Sequence, residues 1–160
     1  ADFIADYFKN FYITQQEEQG ESSDEIDVEN LRDAVKYIAN ELLENAMKFQ
    51  NMKSPYTAKI YLSLYAEKLI FCVTNGISPN QAKDLRHFIQ ALLNGDPHDL
   101  YLQAMRASAQ EENRERSGLG LLSMICDYSA QLGWEIKSTS LEEASGEAVT
   151  TVTTMVTLDT

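Results

Sequence analysis

ELLENAMKF, residues 41–49, ends a long amphipathic stretch that opens near Asp27. Working back from it, Leu31, Val35, Ile38, Leu42, Ala46 and Phe49 recur three or four residues apart. At 100° per residue they fall within about 80° of one another, which describes a helix that buries one narrow stripe. Asp27 fits the N-cap, with Glu29 and Asn30 in the first turn. Glu41, Asn45 and Lys48 leave the stripe and share its flank within about 60°. A carboxylate, an amide and an ammonium therefore stand together beside a core. A solvated flank with i,i+4 and i,i+3 contacts explains that grouping as well as chemistry does.

Downstream, AKIYLSLY (58–65) alternates apolar and polar residues, and KLIFCVT (68–74) is a continuous apolar run. Ala66-Glu67 between them predicts an antiparallel hairpin. Residues 80–93 set Ala82, Leu85, Phe88, Ile89 and Leu92 on one helical face, and Asp96-Pro97 opens a second helix, 97–109. EENRERSG (111–118) reads as a polar, mobile segment. The helix expected after it, from about Gly120 to Leu132, turns Leu122, Ile125, Cys126, Ser129 and Leu132 inward. WEIKSTS (134–140) and EAVTTVTTMVTL (147–158) read as strands with Gly146 at the turn. At the other end, Phe3, Ile4, Tyr7, Phe8 and Phe11 recur at helical spacing, suiting either core padding or a homodimer contact. QQEEQGESSDE (15–25) reads as a solvated loop. The order gives an α+β fold: a two-layer sandwich of a mainly antiparallel sheet with helices on one face. Residues 1–26 form an N-terminal helix and acidic loop, and 27–160 the main domain.

The chain has 160 residues, enough for one real core. Its 13 Lys+Arg against 25 Asp+Glu leave a net charge of −12. That field disfavours nucleic acid and anionic membrane. The short basic cluster, Arg114 and Arg116, is offset by Glu111, Glu112 and Glu115. No apolar run approaches the ~20 residues needed to span a bilayer. Asp2 and Asp6 precede the first lysine, unlike a signal peptide. The start at Ala1 rather than Met leads us to expect further sequence before it. Cys72 and Cys126 lack disulfide or zinc spacing, so we expect free thiols in a reducing, cytoplasmic compartment. His87 and His98 have no partner pattern for a metal or a triad.

SGLGLL (117–122) opens a helix. Gly118 and Gly120 let backbone N–H groups approach a ligand, the helix N-terminus adds partial positive charge, and Ser117 offers a hydroxyl, which together suit a phosphate. A plain glycine turn explains the same residues. The pair of motifs is more specific than either. ELLENAMKF resembles the N-box of the GHKL (histidine-kinase-like ATPase) superfamily. SGLGLL, followed by a helix and GWEI (133–136), resembles its glycine-rich second box, in the family's order and roughly 70 residues on. TTVTTMVTL resembles its Thr-rich last strand. The resemblance covers about residues 28–158 and implies a Bergerat-type sandwich that binds ATP. By that resemblance Asn45 ligates Mg²⁺, Glu41 is the general base and Lys48 approaches phosphate. Gly118, Leu119, Gly120 and Leu121 close over the phosphates, and Thr153 or a neighbouring Thr approaches the adenine.

The sequence departs from the family at its first glycine box, DxGxG. The strand ends CVTNGIS (72–78), with Asn75 where the adenine-binding Asp is expected and Gly76 alone. An amide accepts the same hydrogen bond without the charge, at about 1 kcal/mol or more of affinity. VTNGISPNQAKDLRHFIQALL and DPHDLYLQAM look like the branch of anti-sigma-factor kinases and SiaB-like serine/threonine kinases. In that branch the partner is a small STAS-like protein phosphorylated on Ser or Thr. Two functions follow from the resemblance: an ATP-dependent protein kinase acting on such a partner, or a catalytically inactive interaction module on the same fold. A plain ATPase or ligand-sensing domain is a third.

Overall fold

Alternation of side chains along the strands gives a sheet with one dry face, and the helices' apolar stripes cover it. The computed structural model describes residues 2–19, 25–65, 67–110, 118–140 and 148–160. Residues 20–24 of the acidic loop, Ala66, the segment 111–117 with Ser117, and 141–147 with Gly146 lie outside the described residues. The elements run α1 (Asp2–Gln19), α2 (Glu25–Phe49), β1 (Lys59–Leu64), β2 (Lys68–Ile77), α3 (Pro79–Asn94), α4 (Pro97–Gln110), α5 (Leu119–Cys126), β3 (Gln131–Ser140) and β4 (Ala148–Asp159). The strands form one sheet in the order β1-β2-β4-β3, each neighbouring pair antiparallel. This is the expected α+β sandwich with helices on one side.

The dry face of β2 carries Leu69, Phe71, Val73, Asn75 and Ile77, all buried. Val35, Ile38, Leu42 and Ala46 of α2 join Leu69, Phe71 and Val73 in one core, with Met124 of α5 and Val156 and Leu158 of β4. Each large side chain buried there contributes about 1.5–3 kcal/mol. Ala5 and Phe8 of α1 belong to the same core. Three ion pairs, Asp2–Lys36, Asp6–Arg32 and Lys9–Glu29, run antiparallel along the α1–α2 hairpin. Exposed pairs contribute about 0–1 kcal/mol each, so Ala5 and Phe8 dock α1 more than the charges do. A second, smaller cluster joins Ile77 and Val152 to Ala82 of α3, with Leu85, Trp134 and Ile136 packed against it. Ser78 caps α3: its hydroxyl accepts from Gln81 N–H (3.2 Å) and Gln81 Oε1 accepts from Ser78 N–H (2.7 Å).

Several boundaries differ from the sequence reading. α1 runs through residues 15–19, because Gln and Glu are good helix formers and a polar composition alone does not end a helix. α2 starts at Glu25, which places Asp27 inside the first turn rather than at the cap. β2 continues through Asn75 and Gly76 to Ile77. α5 stops at Cys126, not Leu132. There Asp127 N–H closes on Ser123 O (2.8 Å) and Ser129 turns left-handed at φ 55°. Ser129 is therefore an exposed turn residue, and Leu132 lies on β3 opposite Val156.

Candidate functional site

α2 exposes its polar flank where α5 begins. Glu41 is half-buried there, and a β-carbon added at Gly120 would lie 2.7 Å from Glu41 Cδ and closer still to Oε2. The carboxylate thus occupies the space a larger residue at position 120 would need. Burial pushes the Glu41 carboxyl above its ordinary 4.5, the Glu44 charge adds to the rise, and Lys48 opposes it. Asn45, one turn on, is partly exposed, and its side chain makes no hydrogen bond to a described residue. Lys48 is exposed in the last turn, with Nζ 5.3 Å from the Phe49 ring centroid.

The turn before α5 needs glycine for two reasons. Gly118 has φ 60°, where an L-residue costs about 1–2 kcal/mol. Its missing β-carbon would also lie 2.7 Å from Phe88 Cε2. Phe88 of α3 stands edge-on to Trp134 of β3, centroids 6.2 Å apart. Leu122 N–H makes the first intrahelical bond, to Gly118 O (3.1 Å), so the N–H groups of Leu119, Gly120 and Leu121 precede it, at the positive end of the helix dipole. Leu121 also packs against the main core. Ser117 falls outside the described residues.

Asn75 is 5% exposed on the dry face of β2, between Val73 of the main core and Ile77 of the second cluster. Its amide donates one long bond, to Gly76 O (3.4 Å). A polar side chain thus marks the seam between two apolar clusters. Gly76 answers a local need. A β-carbon there would lie 2.6 Å from Ser54 Cβ. Gly76 N–H donates to Gln50 Oε1 (3.3 Å), and Asn51 N–H donates to Gly76 O (2.8 Å). The chain leaving α2 is folded down onto the end of β2 at this glycine.

Thr153 pairs with Thr74 in register, and their hydroxyls lie 2.8 Å apart on the sheet face away from the helices. Period-two alternation puts Val152 and Thr154 on the face of Asn75 instead, with Asn75 opposite Val152. Glu41 and Gly120 are therefore brought together, Asn45 and Lys48 continue along the same flank, Asn75 lies on the sheet face below the helices, and of the threonines around 153 it is Thr154 that shares that face.

One constellation escaped the sequence reading. Tyr37, one turn before Glu41, stacks on Tyr128 with centroids 4.8 Å apart. Ser123 Oγ donates to Asp127 Oδ2 (2.5 Å), which also accepts from Tyr101 OH (2.7 Å). That bond to the carboxylate is the main cause holding the Tyr101 phenol above its ordinary value, while burial does the same for Tyr37. These bonds tie α4 to α5, and the Tyr37–Tyr128 stack joins the end of α5 to α2. Ser123 and Asp127 stand one helical turn apart, but no sequence signal joined them to Tyr37 or Tyr101, which lie on other elements.

No family model, curated protein or solved structure matches the chain.

Proposed function

We propose that the chain is an ATP- and Mg²⁺-binding regulatory protein of the GHKL type, acting as a serine/threonine protein kinase on a small STAS-like partner. The observation that carries this is the meeting of the Glu41 carboxylate of ELLENAMKF with Gly120 of SGLGLL. Two motifs from separate parts of the chain form one edge, with a carboxylate beside a helix N-terminus. The residues fit the implied groups. Asn45 Oδ1 is a hard oxygen without a partner among the described residues. No cluster of three or more His, Cys, Asp or Glu competes for a cation among those residues. Mg²⁺ characteristically keeps waters and phosphate oxygens and takes one or two protein ligands, so a sparse protein site suits it. When bound, the ion offsets phosphate charge. Glu41, its carboxyl raised by burial, accepts a proton from a serine or threonine hydroxyl. The N–H groups of Gly120 and Leu121 hold phosphate oxygens, and Lys48 adds a mobile positive charge.

A specific observation favours the second reading, an inactive interaction module. The residue in the adenine-binding position is a neutral Asn75, and Gly76 is committed to the Ser54 contact rather than to a lid hinge. Calorimetric titration with Mg²⁺-ATP separates the two. The kinase reading expects binding by the wild type and loss of binding in Asn45→Ala, with the circular dichroism spectrum and melting unchanged. Glu41→Gln is expected to keep nucleotide and lose phosphotransfer. Equal affinity in Asn45→Ala removes the proposed site, and no binding at millimolar nucleotide selects the scaffold.

A further inference from the structure

Two helices bracket the glycine turn that opens α5. On one side stands Glu41 of α2, against Gly120, and on the other Phe88 of α3, against Gly118. A β-carbon built on Gly118 would lie 2.7, 3.2 and 3.4 Å from Cε2, Cδ2 and Cζ of the Phe88 ring, so one ring edge fills the space that a side chain at 118 would take. The ring is itself braced. It meets Trp134 edge-on, at an interplanar angle of 89°, and Trp134 packs on the cluster of Ile77, Ala82 and Val152, each no more than 5% exposed. Leu85, one turn before Phe88, packs on the same cluster. The body of α5 has separate anchors in Leu122 and Met124, both buried.

Those anchors hold the helix but not its first turn. Helix ends fray, and glycine is a poor helix former, so a first turn containing Gly120 and entered through Gly118 needs support from outside. One backbone bond, Leu122 N–H to Gly118 O (3.1 Å), closes that turn. Gly118 sits at φ 60°, and glycine takes φ of either sign about equally readily, so its own backbone does not select this entry. A first turn that opens carries the Gly120 and Leu121 N–H groups out of line. We infer that Phe88 is a positioning residue for this turn: its ring, braced by Trp134, holds Gly118 and so keeps the Gly120 and Leu121 N–H groups in the orientation that receives phosphate, with phosphate as the ligand resting on the nucleotide reading above. Donors fixed before the ligand arrives lose less freedom on binding it. Phe88 acts through the backbone it packs against, so its loss is felt where the phosphates sit rather than where the base sits.

NMR backbone relaxation of the ligand-free protein reads the turn directly. The wild type is expected to show order parameters of about 0.85 at Gly118, Gly120 and Leu121, and Phe88→Ala values below about 0.6, with the strands unchanged. Phe88→Leu keeps apolar volume beside Trp134 without the ring edge. It is expected to fall between the two, and it decides the question if Phe88→Ala does not fold. Leu85→Ala removes apolar volume from the same face of α3 and is expected to leave the turn ordered. A turn as ordered in both Phe88 variants as in the wild type overturns the inference, as does equal loosening by Leu85→Ala. In the same samples Mg²⁺-ATP is expected to bind about tenfold more weakly to Phe88→Ala, while adenosine, which carries no phosphate, binds within about twofold of the wild type. Equal losses for both ligands make the role of Phe88 merely structural and overturn its positioning of the phosphate-binding groups. A wild type that binds neither ligand removes the nucleotide reading alone, and the order parameters still decide whether Phe88 holds the turn.

Discussion

Replacing Gly76 by alanine tests how the end of α2 is fastened to the sheet. The added carbon would lie 2.6 Å from Ser54 Cβ, where two carbons prefer about 3.5–4.0 Å. Rotating the Ser54 side chain moves Oγ but leaves Cβ in place, so the connection itself must withdraw by about 1 Å. Two hydrogen bonds span that contact, Asn51 N–H to Gly76 O (2.8 Å) and Gly76 N–H to Gln50 Oε1 (3.3 Å). At about 0.5–1.5 kcal/mol each, losing both costs roughly 1–3 kcal/mol. Alanine in a strand recovers about 0.5–1 kcal/mol through the unfolded state. The net expectation is a loss of about 1–2 kcal/mol, or about 2–8 °C in Tm for a domain of this size. Urea unfolding of Gly76→Ala, Ser54→Gly, the double variant and the wild type gives the coupling directly. Ser54→Gly has its own cost, because Tyr56 N–H donates to Ser54 Oγ (3.2 Å). The double variant is expected to be more stable than the two single effects sum to, by about 1 kcal/mol. Strict additivity, or a Gly76→Ala protein as stable as the wild type, refutes the argument and returns Gly76 to a role in the ligand site.

Glu41 gives a pH dependence with a definite sign. Its folded carboxyl titrates above 4.5, so the folded state holds the proton more tightly and stability is lost as pH rises through that range. Glu41→Gln keeps the shape against Gly120 and is expected to be more stable than the wild type at pH 7, with the difference shrinking below pH ~4. A carboxyl midpoint at or below 4.5 by NMR contradicts this. Tyr101→Phe removes the hydroxyl held by Asp127 and is expected to cost about 0.5–1.5 kcal/mol. It should also speed amide exchange in α4, and unchanged exchange there means that Asp127 does not tie α4 to α5.

By itself the sequence determined the layers and the candidate flank. Period-two alternation marked β1, and the stripe from Leu31 to Phe49 marked α2; both are local patterns set by which face is buried. The same 3.6-residue geometry put Glu41, Asn45 and Lys48 on one flank before any fold was known. Local pattern failed where ends are decided by closure rather than periodicity. Residues 15–19 are polar yet helical, and α5 ends at Cys126 because Ser129 turns left-handed and Ala130 N–H reaches back to Met124 O. It failed also where strand register decides a face. In a run such as TTVTT every second residue faces the helices, and only the pairing of Thr153 with Thr74 shows which. Tertiary packing alone joined Glu41 to Gly120, Gly76 to Ser54 and Tyr101 to Asp127, since each is a contact between elements whose approach is set by the whole core. The sequence names the groups on a face; the packing of that face against its neighbours decides which groups meet.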